Sequence, residues 1–128
     1  MYLAIDNSDL EKVILYYNNG NLRQKHFAPR GAGSLLEIIN KFLQEGGQTK
    51  LEGLAVVLGK GRFTATRVAT TTANTLGFAW QIPVIGVAAE TPWEEVVKLI
   101  KETPVGRYIV PAYSGAARIG VKSNKSIK

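Results

Sequence analysis

The stretch GLAVVLGKGRFTATRVATTTANTLGFAW, residues 53–80, decides how the chain is to be read. Its apolar opening, GLAVVLG, suits a strand covered on both faces. A glycine-rich turn follows, and residues 62–80 then have helical character, so a strand feeds a helix through a tight loop. Such a loop presents free backbone N–H groups and the positive end of a helix dipole to an anion. It is equally the ordinary way for a chain to reverse direction in a small space.

Working outward, PVIGVAA (83–89) is a second buried strand, and TPWEEVVKLIKE (91–102) is a helix. There Thr91 is expected at the N-cap, Pro92 at the first helical position and Glu94 in a capping box. Toward the N-terminus, YLAID (2–6) and KVILYY (12–17) are strands, and NNGN is a hairpin turn. LRQKHFA (22–28) mixes polar and apolar residues on both sides, which suits an exposed edge strand. In GSLLEIINKFLQEGG (33–47), Ser34 and Glu37 form a capping box and Gly46 supplies the stop. Leu35, Ile38, Ile39 and Phe42 form the core stripe of that helix. The expected order is β-β-β-α-β-α-β-α, an α/β domain with a mixed five-stranded sheet. Residues 1–112 form the domain and residues 113–128 a basic tail.

Composition excludes several chemistries. The 128 residues contain no cysteine, so disulfides, thiolate metal sites and a cysteine nucleophile are absent. His26 is the single histidine, and a lone histidine on a strand is most often structural. Asp6, Asp9 and Glu11 lie close enough to hold a hard cation, yet turn aspartates commonly cap their own backbone. Ser8, Ser34 and Ser114 have no neighbouring acid–base pair, and the GKG loop does not fit the phosphate-loop pattern. No catalytic, cofactor-binding or metal-binding residue is therefore assigned. The opening MYLAIDNSD lacks a basic region followed by an apolar one, and no run is long enough to span a membrane. The chain is expected to be soluble and cytoplasmic.

The net charge of +6 is concentrated at one end. Arg107, Arg118, Lys122, Lys125 and Lys128 follow Glu102, and no acid does. Contact of this tail with RNA or an acidic partner and a solubilising terminus are both consistent with that charge.

The helix at 62–80 is the unusual element. Ala65, Val68, Ala69, Thr72, Ala73, Leu76 and Trp80 recur at helical spacing and are expected against the sheet. The opposite face would then carry Thr66, Arg67, Thr70, Thr71, Asn74, Thr75 and Phe78, with a single charge. A solvated helix face usually holds Glu and Lys, since threonine is a weaker helix former than either. Short uncharged side chains allow a second helix to approach closely.

The segment GKGRFTATRVATTTANTLGFAWQIPVIGV resembles the signature region of the TsaB (YeaZ) family, and YLAIDNS is similar to that family's opening ILALDTS. FAPRGAGSLLEIINKFLQEGG matches the family through its first helix, and PAYSG is similar to its PVYLR. The resemblance implies an actin-like, ribonuclease H-like ATPase fold and a part in making threonylcarbamoyladenosine on tRNA. It implies a non-catalytic subunit that pairs with the catalytic TsaD through its first two helices, as scaffold or activator. The partner surface is then expected at Leu36, Asn40, Leu43, Phe63, Thr66, Arg67, Thr70, Thr71, Asn74 and Phe78. Homodimerisation through the same helices and docking of an ATPase subunit on the pair are further partners to consider. A stand-alone nucleotide- or RNA-binding module is the alternative. The chain departs from the family pattern in a shorter GKGRF loop, in Ala65 where the family has glycine, at Ala32 and Gly33, and in reading as one domain where the family has two.

Overall fold

The computed structural model describes residues 1–19, 22–31, 33–47, 51–59 and 63–109. Its elements are β1 (Tyr2–Asp6), β2 (Lys12–Asn19), β3 (Leu22–Pro29), α1 (Leu35–Glu45), β4 (Gly53–Leu58), α2 (Phe63–Trp80), β5 (Val84–Ala88) and α3 (Trp93–Lys101). This is the order expected from the sequence. The five strands form one sheet in the order β3-β2-β1-β4-β5. β1, β2 and β3 pair antiparallel, whereas β1, β4 and β5 run parallel. β3 lies at one edge, in keeping with its mixed sequence, while β5, expected as a buried strand, lies at the other edge with only Val84 and Val87 buried.

The apolar run of β4 follows from burial on both sides. Leu54 and Val56 join Leu3, Ile5, Val13 and Leu15 beneath α1 and α2. Ala55 and Val57 join Ala4 and Val87 beneath Val96 and Ile100 of α3. Two helices thus cover one face and a single helix covers part of the other. Among the described residues no helix is long and apolar enough to cross a membrane.

Helix ends show where local chemistry governs. The Ser34 backbone N–H donates to Glu37 Oε1 at 2.7 Å, and the Glu37 N–H donates to Ser34 Oγ at 3.2 Å, completing the expected capping box. The Ser34 N–H holds the Glu37 carboxyl below the usual glutamate range. Gly46 is the C-cap of α1, but the left-handed conformation falls on Gly47, with φ 75°. Leu43, not Phe42, completes the inner stripe of α1. Phe42 is half-buried, with its ring 4.9 Å from Tyr17 and 5.0 Å from His26, which gives the histidine its structural role. α3 begins one residue later than the sequence suggests. Pro92 is extended at the N-cap position and no side chain caps the helix, so Thr91 and Glu94 form no capping box. α2 ends on Gln81 at φ 55°, where the Ile82 N–H reaches the Gly77 carbonyl at 3.1 Å and Gln81 Nε2 donates to the Phe78 carbonyl at 2.8 Å.

Gly77 sets how closely α2 approaches the sheet. A Cβ at this position would lie 2.2 Å from Val84 Cγ2. Replacing Gly77 with Ala improves helix propensity by about 1 kcal/mol, but the overlap with β5 outweighs that gain. Gly77→Ala is expected to lower stability by about 1–3 kcal/mol, read as a fall in the urea midpoint at unchanged slope.

Candidate partner-binding face

α2 lies on the sheet with Ala65, Ala69, Thr70, Ala73, Leu76 and Gly77 buried. Its outward stripe is Thr64, Val68, Thr71, Thr75 and Phe78, in steps of four, three, four and three residues. That is the spacing by which one helix presents a seam to another. Every member of the stripe is uncharged. Val68 is 45% exposed and Phe78 is 66% exposed. An open groove of about 390 Å³ runs along Thr64, Arg67, Val68, Thr71 and Thr72.

The helix is therefore turned from the orientation expected of its sequence. Val68, expected in the core, faces out, while Thr70, expected on the partner face, is 1% exposed. Threonine and valine have nearly the same shape, and alanines and threonines occur on both sides, so periodicity barely separates the faces. The deciding signal is Gly77, whose missing side chain marks the line of closest approach to β5. Leu43 also leaves the candidate surface, being 3% exposed within the core. Its place one residue beyond Phe42 puts it on the inward side of α1.

Asn74 is used inside the chain. Its Nδ2 donates to the Ile109 carbonyl at 3.0 Å, and its Oδ1 accepts from the Ile109 N–H at 2.9 Å. One side-chain amide thus satisfies both main-chain groups of Ile109. Ile109 packs against the core cluster beneath α2. The remaining expected surface residues divide simply. Leu36 (41% exposed) and Asn40 lie one turn apart on the outer side of α1, and Arg67 and Thr71 are exposed on α2. Thr66 is half-buried, and the Phe63 side chain lies outside the described residues.

The loop after β1 is closed by its own contacts. Asp6 is buried, and its Oδ1 accepts from the Ser8 N–H at 3.0 Å and the Ser8 hydroxyl at 2.5 Å. Asp9 Oδ1 accepts from the Glu11 N–H at 2.8 Å, a bond that lowers the Asp9 pKa below its usual value. Arg30 reaches the Asn7 carbonyl at 2.7 Å and the Asp9 carbonyl at 2.6 Å. Asn7 Nδ2 ties the loop to the Ala65 carbonyl at 2.9 Å. Among the described residues no three His, Asp or Glu side chains converge. The glycine-rich loop at 60–62 and the basic residues beyond 109 lie outside the described residues.

Residues 29–109 match the profile of the family TsaD, tRNA N6-adenosine threonylcarbamoyltransferase. The chain belongs to that family. Its structure is similar to YeaZ from Pseudomonas aeruginosa at 30% identity and TM-score 0.57, over 68% of this chain and 43% of that one. A crystal structure of a protein described as similar to peptidase YEAZ from Pseudomonas aeruginosa also matches at 30% identity and TM-score 0.57, over 68% and 42% of the two chains. The chain thus spans less than half the length of these structures. No curated protein matches by sequence. The resemblance to TsaB (YeaZ) holds, and with it the actin-like, ribonuclease H-like fold.

Two substitutions test this arrangement. Thr70 Oγ1 is buried without a hydrogen-bond partner, so Thr70→Val is expected to raise stability by about 1–2 kcal/mol in thermal melting. Asn74→Ala removes both bonds to Ile109 and is expected to cost about 1–3 kcal/mol. Hydrogen exchange at the Ile109 amide should accelerate more than exchange in β1.

Proposed function

We propose that this chain is a non-catalytic subunit acting in the cytoplasm in the formation of threonylcarbamoyladenosine on tRNA. It docks on a TsaD-like catalytic subunit through the outer face of α1 and α2. The carrying observation is the uncharged stripe Thr64, Val68, Thr71, Thr75 and Phe78 at seam spacing. Water gives little to such a face, whereas a second helix fills the groove beside Val68 and covers Phe78. Leu36 and Asn40 on α1 extend the same outer surface. Kinship with a family named for a tRNA adenosine reaction, and similarity to YeaZ, supply the process. The non-catalytic role is supported by Asp6, whose Oδ1 accepts both the N–H and the hydroxyl of Ser8 within its own turn. Where the catalytic subunit is absent, the same stripe pairs two copies of the chain.

Charge placed on the stripe tests the reading. In Val68→Glu with Thr71→Glu, both carboxylates are hydrated in the free protein, and the melting temperature is expected to change little. In a helix pair they are desolvated without partners, which costs about 3 kcal/mol or more. Calorimetric titration against the TsaD of the same cell should therefore show affinity falling at least about a hundredfold, with sedimentation reporting self-association in its absence. A folded double variant that binds as tightly as the parent chain would remove α2 from the interface.

A further inference from the structure

Among the described residues no helix packs over the second face of the β2–β3 hairpin. Register places Ile14 opposite Phe27, Tyr16 opposite Lys25 and Asn18 opposite Arg23, all on one side of the sheet. On that side α3 packs on Ala4, Ala55, Val57 and Val87, with Tyr16 at the border of the cluster. Phe27 is 53% exposed, and Arg23 and Lys25 are exposed beside it.

Cations and rings interleave here. The Arg23 guanidinium lies 5.0 Å and Lys25 Nζ 5.8 Å from the centre of the Tyr16 ring, and Lys12 Nζ lies 5.1 Å from that of Phe27. Among the described residues Arg23, Lys25 and Lys12 form no ion pair, although the nearby Asp9 carboxylate attracts Lys12. Asp9 Oδ1 also accepts from the Glu11 and Lys12 N–H groups at 2.8 and 3.2 Å, so Arg23 and Lys25 are the cations left without a carboxylate beside them.

We propose that this face binds single-stranded RNA, with bases stacking on Phe27 and Tyr16 while Arg23, Lys25 and Lys12 hold phosphates. Edge protection alone accounts for Lys25 and Pro29, which oppose the addition of another strand. It gives no reason for an exposed phenylalanine between them. A polyanion with flat bases matches both features, the positive charge of Arg23 and Lys25 and the exposed Phe27 ring beside the half-buried Tyr16. Stacking of a base on an aromatic ring is stronger than an exposed cation–π contact, so a base displaces the cation from the ring and leaves it within reach of the adjoining phosphate. The inference rests on the tRNA reading above for the identity of the polymer. It uses the opposite side of the sheet, so either can fail alone.

The test is fluorescence anisotropy of the full chain with a fluorescein-labelled oligouridylate of about ten nucleotides, over a series of salt concentrations. Phe27→Ala is expected to weaken binding about tenfold with the salt slope unchanged. Phe27→Leu, which keeps the bulk but not the ring, should weaken it similarly. Arg23→Gln with Lys25→Gln should lower the slope of log affinity against log salt by about 1.4. Glutamine at Arg118, Lys122, Lys125 and Lys128 should leave the Phe27 effect in place, and the Val68, Thr71 double glutamate should bind as the parent does. Three results overturn the proposal. They are no binding at low salt, equal binding by folded Phe27→Leu and parent, or complete loss when the four tail cations alone are replaced.

Discussion

The close approach of Gly77 to Val84 orients the second helix, and most of the molecule's surface chemistry follows from it. With glycine at this point, and Ala65, Ala69 and Ala73 also facing inward, α2 settles near the strands and leaves Thr64, Val68, Thr71, Thr75 and Phe78 outside. A bulkier residue at 77 would force the helix to lift or roll. Either movement would change which residues meet solvent. The same helix carries Asn74, so its placement also determines where residue 109 is held.

The order of elements was legible because each is marked by independent local signals that agree. Ser34 and Glu37 announced α1 through a reciprocal hydrogen-bond pair, and the unbroken apolar run of β4 announced a strand covered twice. β3 declared itself an edge by mixing charge and ring on its outer side. The site was harder to read. On α2, periodicity had to choose between faces built from alanine, threonine and valine, and Val68 and Thr70 exchanged places. The roles of Asn74 and Gln81 depend on main-chain atoms brought to them by the fold. At α3, the threonine–proline pair resembled a cap in sequence, but the backbone at Pro92 is extended and the helix starts after it.

The sheet separates two surfaces of unlike character. On α2 the exposed stripe is uncharged and, apart from Phe78, ridged by short side chains. Across the sheet, beyond the edge of α3, the β2–β3 hairpin shows rings and cations side by side. This asymmetry arises because three helices cannot cover both faces of five strands. Among the described residues α3 packs mainly on β4 and β5 and leaves most of the outer hairpin uncovered.

Four of the five outward positions on α2 are β-branched: Thr64, Val68, Thr71 and Thr75. On a helix such side chains are confined to few rotamers, because the preceding turn blocks the others. The free protein therefore already holds this surface in a narrow set of shapes. A lysine or glutamate in the same places would forfeit about 0.5–1.5 kcal/mol of rotamer entropy each on being immobilised. A threonine ridge has much less mobility to surrender, so even a modest contact area along α2 retains more of its attraction as net affinity.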